Sequence, residues 1–422
     1  MENSRNSVIG NIYYHVEDVR MEKGEGIYIY DSEGNEYVDC ASATFNLVLG
    51  YSNKEVLDAV KEQMDKLVHT TSSFQTAAIN NMVERLVSIA PKNLTKVHPK
   101  VCGGSVANEG AIKMAQYATG KRDVISLFRS HLGQTYMMMN LSGNAFRREP
   151  FPPACSMGLQ VPDPYCYRCF YKQKPETCNM LCVERINDFI EYGSSGQVAC
   201  MMVEPISGNG GNIVPPMGYL RALKKLCEEH GMALILDEIQ TGFGRTGKMF
   251  AAEYYEVEPN IMTVAKGLGG TGFQVAAILA EEKYAGMEGH HHSFTYGSNV
   301  LAAAAASKTL EIIARPGFLE NVQAVGHYIM ERLYKMQERF KFMGDVRGVG
   351  LMIGIEIVDS EGNPDVALTN KIAKNAMEYG LILRTSRYGF GNVFKIRPPL
   401  IITMAEAEEL CDRLERTLAD VR

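Results

Sequence analysis

The sequence predicts an α/β protein with a mostly parallel central sheet and a second, smaller lobe, and three observations carry that expectation. Apolar runs at Val124–Phe128, Val198–Val203, Met232–Leu236 and Ile261–Ala265 alternate with amphipathic stretches of helical length. Strands apolar at every position belong in a parallel sheet covered by helices on both faces. Three runs end on an ionisable residue: Glu204 after Met201-Met202-Val203, Asp237 after Leu234-Ile235-Leu236, and Lys266 after Thr263-Val264-Ala265. Ligands of such sheets bind beyond the carboxyl ends of the strands, so an acid and an amine are expected to face one pocket.

In chain order, Gly26–Tyr30, the turn Asp31–Asn35 and Glu36–Asp39 predict a hairpin. A helix is expected over Lys54–Leu67, and the strand and helix alternation runs from Val97 to Leu279. The alanine-rich stretch Leu301–Ile313 and a helix over Phe318–Phe340 lead into a C-terminal α+β lobe, with strands at Leu351–Ile357 and Val393–Ile396. No repeat of fixed period and no low-complexity linker separates the lobes.

The bulk properties exclude several functions. At 422 residues and 46% hydrophobic content, the chain suits one large core with an appended lobe. A net charge of −6 with interspersed signs forms no basic stripe, so nucleic acid is not an expected partner. The start, Met1-Glu2-Asn3-Ser4-Arg5, leads into no apolar core of signal-peptide length, and no segment approaches the roughly 20 apolar residues of a membrane span. A cytoplasmic location and ten reduced cysteines are therefore expected.

Burying a charge without a partner costs several kcal/mol, so one cleft is the more economical place for Glu204, Asp237 and Lys266. The competing reading makes Asp237 a helix cap and Lys266 a surface lysine. The turn Cys102-Gly103-Gly104-Ser105 precedes a helical stretch, where small residues let backbone N–H groups approach a phosphate; a plain N-cap is the blander account.

Three other motifs compete. Gly242-Phe243-Gly244-Arg245-Thr246-Gly247-Lys248 has the spacing of a nucleotide phosphate loop, but Met249 stands where a magnesium-binding hydroxyl belongs. Cys166, Cys169, Cys178 and Cys182 offer two thiol pairs to a zinc ion or an iron–sulfur cluster, or form a loop of reduced thiols. His290-His291-His292 is either a metal tract or a polar loop.

An amine, a carboxylate and a phosphate site are the three grips that pyridoxal 5'-phosphate requires. With Tyr30–Asp39, Gly103–Glu109, Glu204–Ile206, Asp237–Gly247, Ala265–Leu268, Ser293–Asn299, Asp345–Leu351 and Arg397–Leu400, the chain resembles the class III aminotransferases of fold type I over nearly its whole length. That resemblance implies a large cofactor-binding domain over residues 61–310. It also implies a small α+β domain formed by residues 1–60 and 311–422.

The resemblance assigns roles residue by residue. Lys266 forms the Schiff base and moves the proton between the substrate α-carbon and C4′, while Asp237 pairs with the pyridinium nitrogen. Gln240 lies near the phenolic oxygen, and Gly104 and Ser105 hold the phosphate, joined by Thr295 from the partner of a homodimer or of a dimer of dimers. Cationic surroundings are expected to lower the lysine pKa. His131, in Ser130–Thr135, takes the place of the aromatic that stacks on the ring.

Some positions depart from the family pattern. Ser207 and Asn209 replace a Gln and an acid after Glu204-Pro205-Ile206, and Lys395 stands where many members carry a carboxylate-binding arginine, with Arg397 two residues on. An ammonium is a point charge where a guanidinium is a fork, so the substrate acid is expected to be held differently by Lys395 and Arg397, with Glu204 as a gate that pairs with Lys395. The implied activity is amino transfer from an amino acid or ω-amine to a 2-oxo acid, pyruvate or 2-oxoglutarate, by a ping-pong path. Racemases, epimerases and phospholyases share the scaffold and stay open as alternatives.

Overall fold

The computed structural model of the protein describes residues 19–143, 145–152, 158–386 and 391–421; the Met1–Arg5 segment read for export lies outside them. Fifteen strands are named in chain order. They are β1 Met21–Glu25, β2 Tyr28–Asp31, β3 Glu36–Asp39, β4 Lys96–Val101, β5 Asp123–Leu127, β6 Gly158–Val161, β7 Val198–Val203 and β8 Ala233–Asp237. The remainder are β9 Ile261–Val264, β10 Ala276–Ala280, β11 Met343–Val349, β12 Met352–Ile357, β13 Leu381–Ile382, β14 Arg384–Thr385 and β15 Val393–Ile396.

The central sheet has the order β4-β10-β9-β8-β7-β5-β6. Its β5–β6, β5–β7, β7–β8 and β8–β9 pairs are parallel, and β10 alone runs against its neighbours β9 and β4. The period-two alternation of the strands divides the interior between two faces. Met201, Val203, Leu234 and Leu236 enter one core. Cys200, Met202, Ala233 and Ile235 enter the other, where they meet Ala107, Ala111 and Ala115 of the helix Gly104–Thr119. The alanines let that helix lie close to the sheet.

Two smaller sheets flank this unit, β1-β2-β3-β13 and β11-β12-β15-β14. The predicted hairpin is present, with Tyr28 opposite Val38 and Tyr30 opposite Glu36, and Asp31 accepts the turn amides of Glu33 and Asn35 at 3.0 and 2.9 Å. β3 also pairs in parallel with β13, joining Val38 to Leu381 and Asp39 to Ile382. The helix expected over Lys54–Leu67 spans Lys54–Lys66 and begins at an Asn53 cap. The Phe318–Phe340 expectation ends one residue earlier, at Arg339. Among the described residues no helix is long and apolar enough to cross a membrane.

The glycine-rich segment that imitates a phosphate loop is a packed turn. Residues 241–247 are buried, only Lys248 is exposed, and the Arg245 guanidinium donates to the carbonyls of Leu351 at 3.1 Å and Pro398 at 2.6 Å. Its glycines serve that packing: a Cβ on Gly247 would stand 2.5 Å from Gln323 Cγ.

Candidate active site

The segments leaving β4, β5, β7, β8 and β9 line one cleft of about 310 Å³. Because β10 runs the other way, it is its amino end, at Gly272–Val275, that borders the same cleft. His131, Glu204, Asp237, Gln240 and Lys266 face this space together, with Gly104 and Ser105 at one end.

Asp237 ends β8 and is buried. The Ile239 amide donates to its Oδ1 at 3.0 Å and Asn108 Nδ2 to its Oδ2 at 2.7 Å. Burial raises its pKa, and these two bonds and the Lys266 charge work against that rise. The neighbouring Glu238 accepts the Ala252 amide at 2.7 Å and the Thr241 hydroxyl, and burial pushes it up to about 7. Glu238 is not among the cleft residues, as expected for the next position of a pleated strand.

Lys266 follows β9 with φ of +39°, in the left-handed region, a strain of about 1–3 kcal/mol that the surrounding turn must hold. Its amine pKa falls to about 8. The cause differs from the sequence expectation: burial is the largest influence, Asp237 and Glu204 oppose it, and the cationic contribution of Arg397 is the smallest.

Glu204 is 6% exposed, and burial with the nearby Asp237 raises it to about 7. Its two oxygens accept the amides of His131 and Gly208, each at 2.9 Å. Both Glu204 oxygens are thus engaged by backbone amides. His131 is held at about 3, by burial first and then by Lys266, Arg147 and Lys395, so its imidazole presents a neutral ring to the cleft.

The helix Gly104–Thr119 starts from Gly103 without a side-chain cap, which leaves its first amides to the cleft. Ser105 Oγ accepts the Gln134 amide at 2.9 Å. Gly133, at φ of +150°, closes so tightly that a Cβ there would lie 2.6 Å from that Oγ.

Not every predicted residue joins this group. Lys395 on β15 and Arg397 just after it are buried beside Phe45, with Lys395 Nζ 4.8 Å and Arg397 Cζ 4.1 Å from its ring centre, and neither lines the cleft. Arg397 reaches it indirectly, through the side-chain oxygen of Gln240. Thr295 is exposed and also outside the lining of this chain's cleft.

The four loop cysteines surround a separate cavity of about 30 Å³ as free thiols, and among the described residues no three His, Cys, Asp or Glu side chains form a group able to hold a metal. His290 and His291 are exposed, whereas His292 is buried against the Val106 carbonyl at 2.8 Å.

The sequence reading missed Asn108 and Thr263. The Thr263 hydroxyl donates to Asn108 Oδ1 at 2.6 Å, and Asn108 Nδ2 also donates to the Leu132 carbonyl at 2.7 Å. Each is a lone polar residue within an otherwise small or apolar buried face, and that was the signal.

These residues fit pyridoxal phosphate. Asp237 is a buried carboxylate whose hydrogen-bond partners are an amide and an asparagine, so it can accept a ring-nitrogen cation. The uncapped helix start suits the phosphate, and the depressed Lys266 amine suits attack on an aldehyde. Fold and cleft together define a fold type I enzyme that depends on pyridoxal phosphate.

The sequence profile of the family described as Aminotransferase class-III matches residues 11–418. The chain is 37% identical to a leucine/methionine racemase of Thermococcus litoralis over 94% of its own length and 90% of that protein's. It is 33% identical to an acetylornithine aminotransferase of Methanothermobacter thermautotrophicus, covering 97% and 96%. A solved amine transaminase from an uncultivated Pseudomonas species, in a PLP-bound form, superposes with a TM-score of 0.90 at 28% identity, covering 98% and 97%. The chain belongs to the class III aminotransferases.

Proposed function

We propose that the protein transfers an amino group from an amino acid or ω-amine to a 2-oxo acid, pyruvate or 2-oxoglutarate, in two half-reactions of a ping-pong cycle. The observation that carries this is the Lys266 amine, depressed to about 8 and sharing a buried cleft with Asp237. Bound pyridoxal phosphate would supply the electron sink that lets a substrate α-proton leave.

The chain's own groups then have defined tasks. With the cofactor bound, Lys266 in its neutral form would take the proton from the substrate α-carbon and return it two atoms away, at C4′. Asp237, fixed by Asn108 and Ile239, holds positive charge at the ring nitrogen. His131 covers the ring as a neutral aromatic, and Gly104 and Ser105 hold the phosphate with Thr295 of a second copy in a homodimer. Lys395, set behind the cleft but close enough for its charge to act on His131, attracts the substrate acid as a point charge at a distance.

A second reading, racemisation of an amino acid, is favoured by the 37% identity to the leucine/methionine racemase. Adding the amino donor alone to the loaded enzyme separates the two. Stoichiometric conversion of the cofactor to its amine form supports transfer. Exchange of the α-proton for deuterium without that conversion overturns it.

A further inference from the structure

Arg397 is 1% exposed and most of its hydrogen-bonding capacity is spent inside the protein. Its Nη2 donates to the Gly208 carbonyl at 2.8 Å and to Asn212 Oδ1, and its Nη1 donates to Gln240 Oε1. A guanidinium grips a carboxylate at two points through either its Nη1 and Nη2 edge or its Nε and Nη2 edge. Both edges need a hydrogen on Nη2, and both of those hydrogens are committed.

The acceptors are rigid. Asn212 is fully buried, sits at φ of +53° and is tied down by its own Nδ2, which donates to the Ile353 carbonyl at 2.6 Å. The Arg347 guanidinium further clamps the Gly211 and Asn212 carbonyls from the other side. At the other end, Gln240 lines the cleft, and the engagement of its oxygen by Arg397 leaves its amide nitrogen as the remaining polar end of the side chain.

We propose that Arg397 is a positioning residue, locked by Asn212 so that it orients the Gln240 amide toward the cofactor's phenolic oxygen, and that it does not serve as the fork for the substrate carboxylate. The inference rests on the cleft as the cofactor site, which the visible band of the loaded enzyme reports independently.

The test compares Arg397→Met, Asn212→Gly and Asn212→Asp. Glycine removes the amide without straining a positive φ, and aspartate keeps the acceptor. Two readouts are taken on the loaded enzyme: the midpoint of its visible absorption titrated against pH, and the KM for the 2-oxo acid. Arg397→Met and Asn212→Gly are expected to move the midpoint by ~0.7 pH unit, the equivalent of one lost hydrogen bond, and Asn212→Asp to restore it. The KM should change less than ~3-fold in all three.

A midpoint that stays in place overturns the proposal. So does a KM raised by ~10-fold or more, the mark of a lost carboxylate grip. Should Arg397→Met fail to fold, Asn212→Gly decides by the same two criteria.

Discussion

Asn108 donates to Asp237 across 2.7 Å and at the same time ties the Leu132 carbonyl, which joins the cofactor acid to the loop that carries His131. Replacing Asn108 by alanine would leave the Leu132 carbonyl and the Thr263 hydroxyl without these partners, and Asp237 with one bond fewer. The apoprotein should lose about 3 kcal/mol in denaturant unfolding. A loss below about 1 kcal/mol would show that the network relaxes around the gap.

The Lys266 amine, lowered from 10.5 to about 8 by burial, is neutral above pH 8 instead of above 10.5. Attachment of pyridoxal phosphate to the apoprotein should therefore accelerate ~10-fold per pH unit up to about 8 and level off beyond it. Stopped-flow absorbance measures this directly, and a rate still climbing at pH 10 would contradict the buried-amine account.

Burial raises Glu204 from the ordinary carboxylate value of 4.5 to about 7, so the folded state holds a proton that the unfolded chain releases. Its contribution is complete below pH 4.5 and is lost as pH rises toward 7, a change of about 3 kcal/mol. Unfolding of apoprotein at pH 5 and pH 7.5 should show a pH difference that shrinks by about this amount in Glu204→Gln. Parallel curves for the two proteins would refute the assignment.

Gly133→Ala forces a Cβ to 2.6 Å from Ser105 Oγ at a φ of +150°. Cofactor affinity should fall ~10-fold or more as the serine is displaced from the helix start. Gly120→Ala, at the far end of the same helix with open space around it, should cost about 1 kcal/mol of stability through its φ of +68°. Its cofactor affinity, read by equilibrium titration, should match the parent; equal losses in both variants would mean that helix stability alone governs binding.

Much of the fold and of the cofactor grips was legible in the chain because one periodicity encodes both. All-apolar strands mark a sheet buried on two faces, and the first charged residue after each run marks its carboxyl end. That logic placed Glu204, Asp237 and Lys266 in one cleft. It could not tell that Glu238 turns away, since neighbouring acids look alike until the pleat assigns them faces.

Nor could it foresee that burial outweighs charge at Lys266, or that Arg397 spends its hydrogens on Gly208, Asn212 and Gln240. Those outcomes depend on segments some 150 or more positions apart in the chain, whose meeting no local pattern records.

The pairing of β3 with β13 has a consequence for how the molecule comes into being. Val38 emerges from the ribosome early and Leu381 near the end of synthesis, so the first sheet keeps an open edge until almost the whole chain has been made. At ~5–20 residues per second, that leaves a window of tens of seconds in which an unpaired strand is exposed to other nascent chains. The maturation of the amino-terminal hairpin thus waits on the arrival of the carboxyl-terminal lobe.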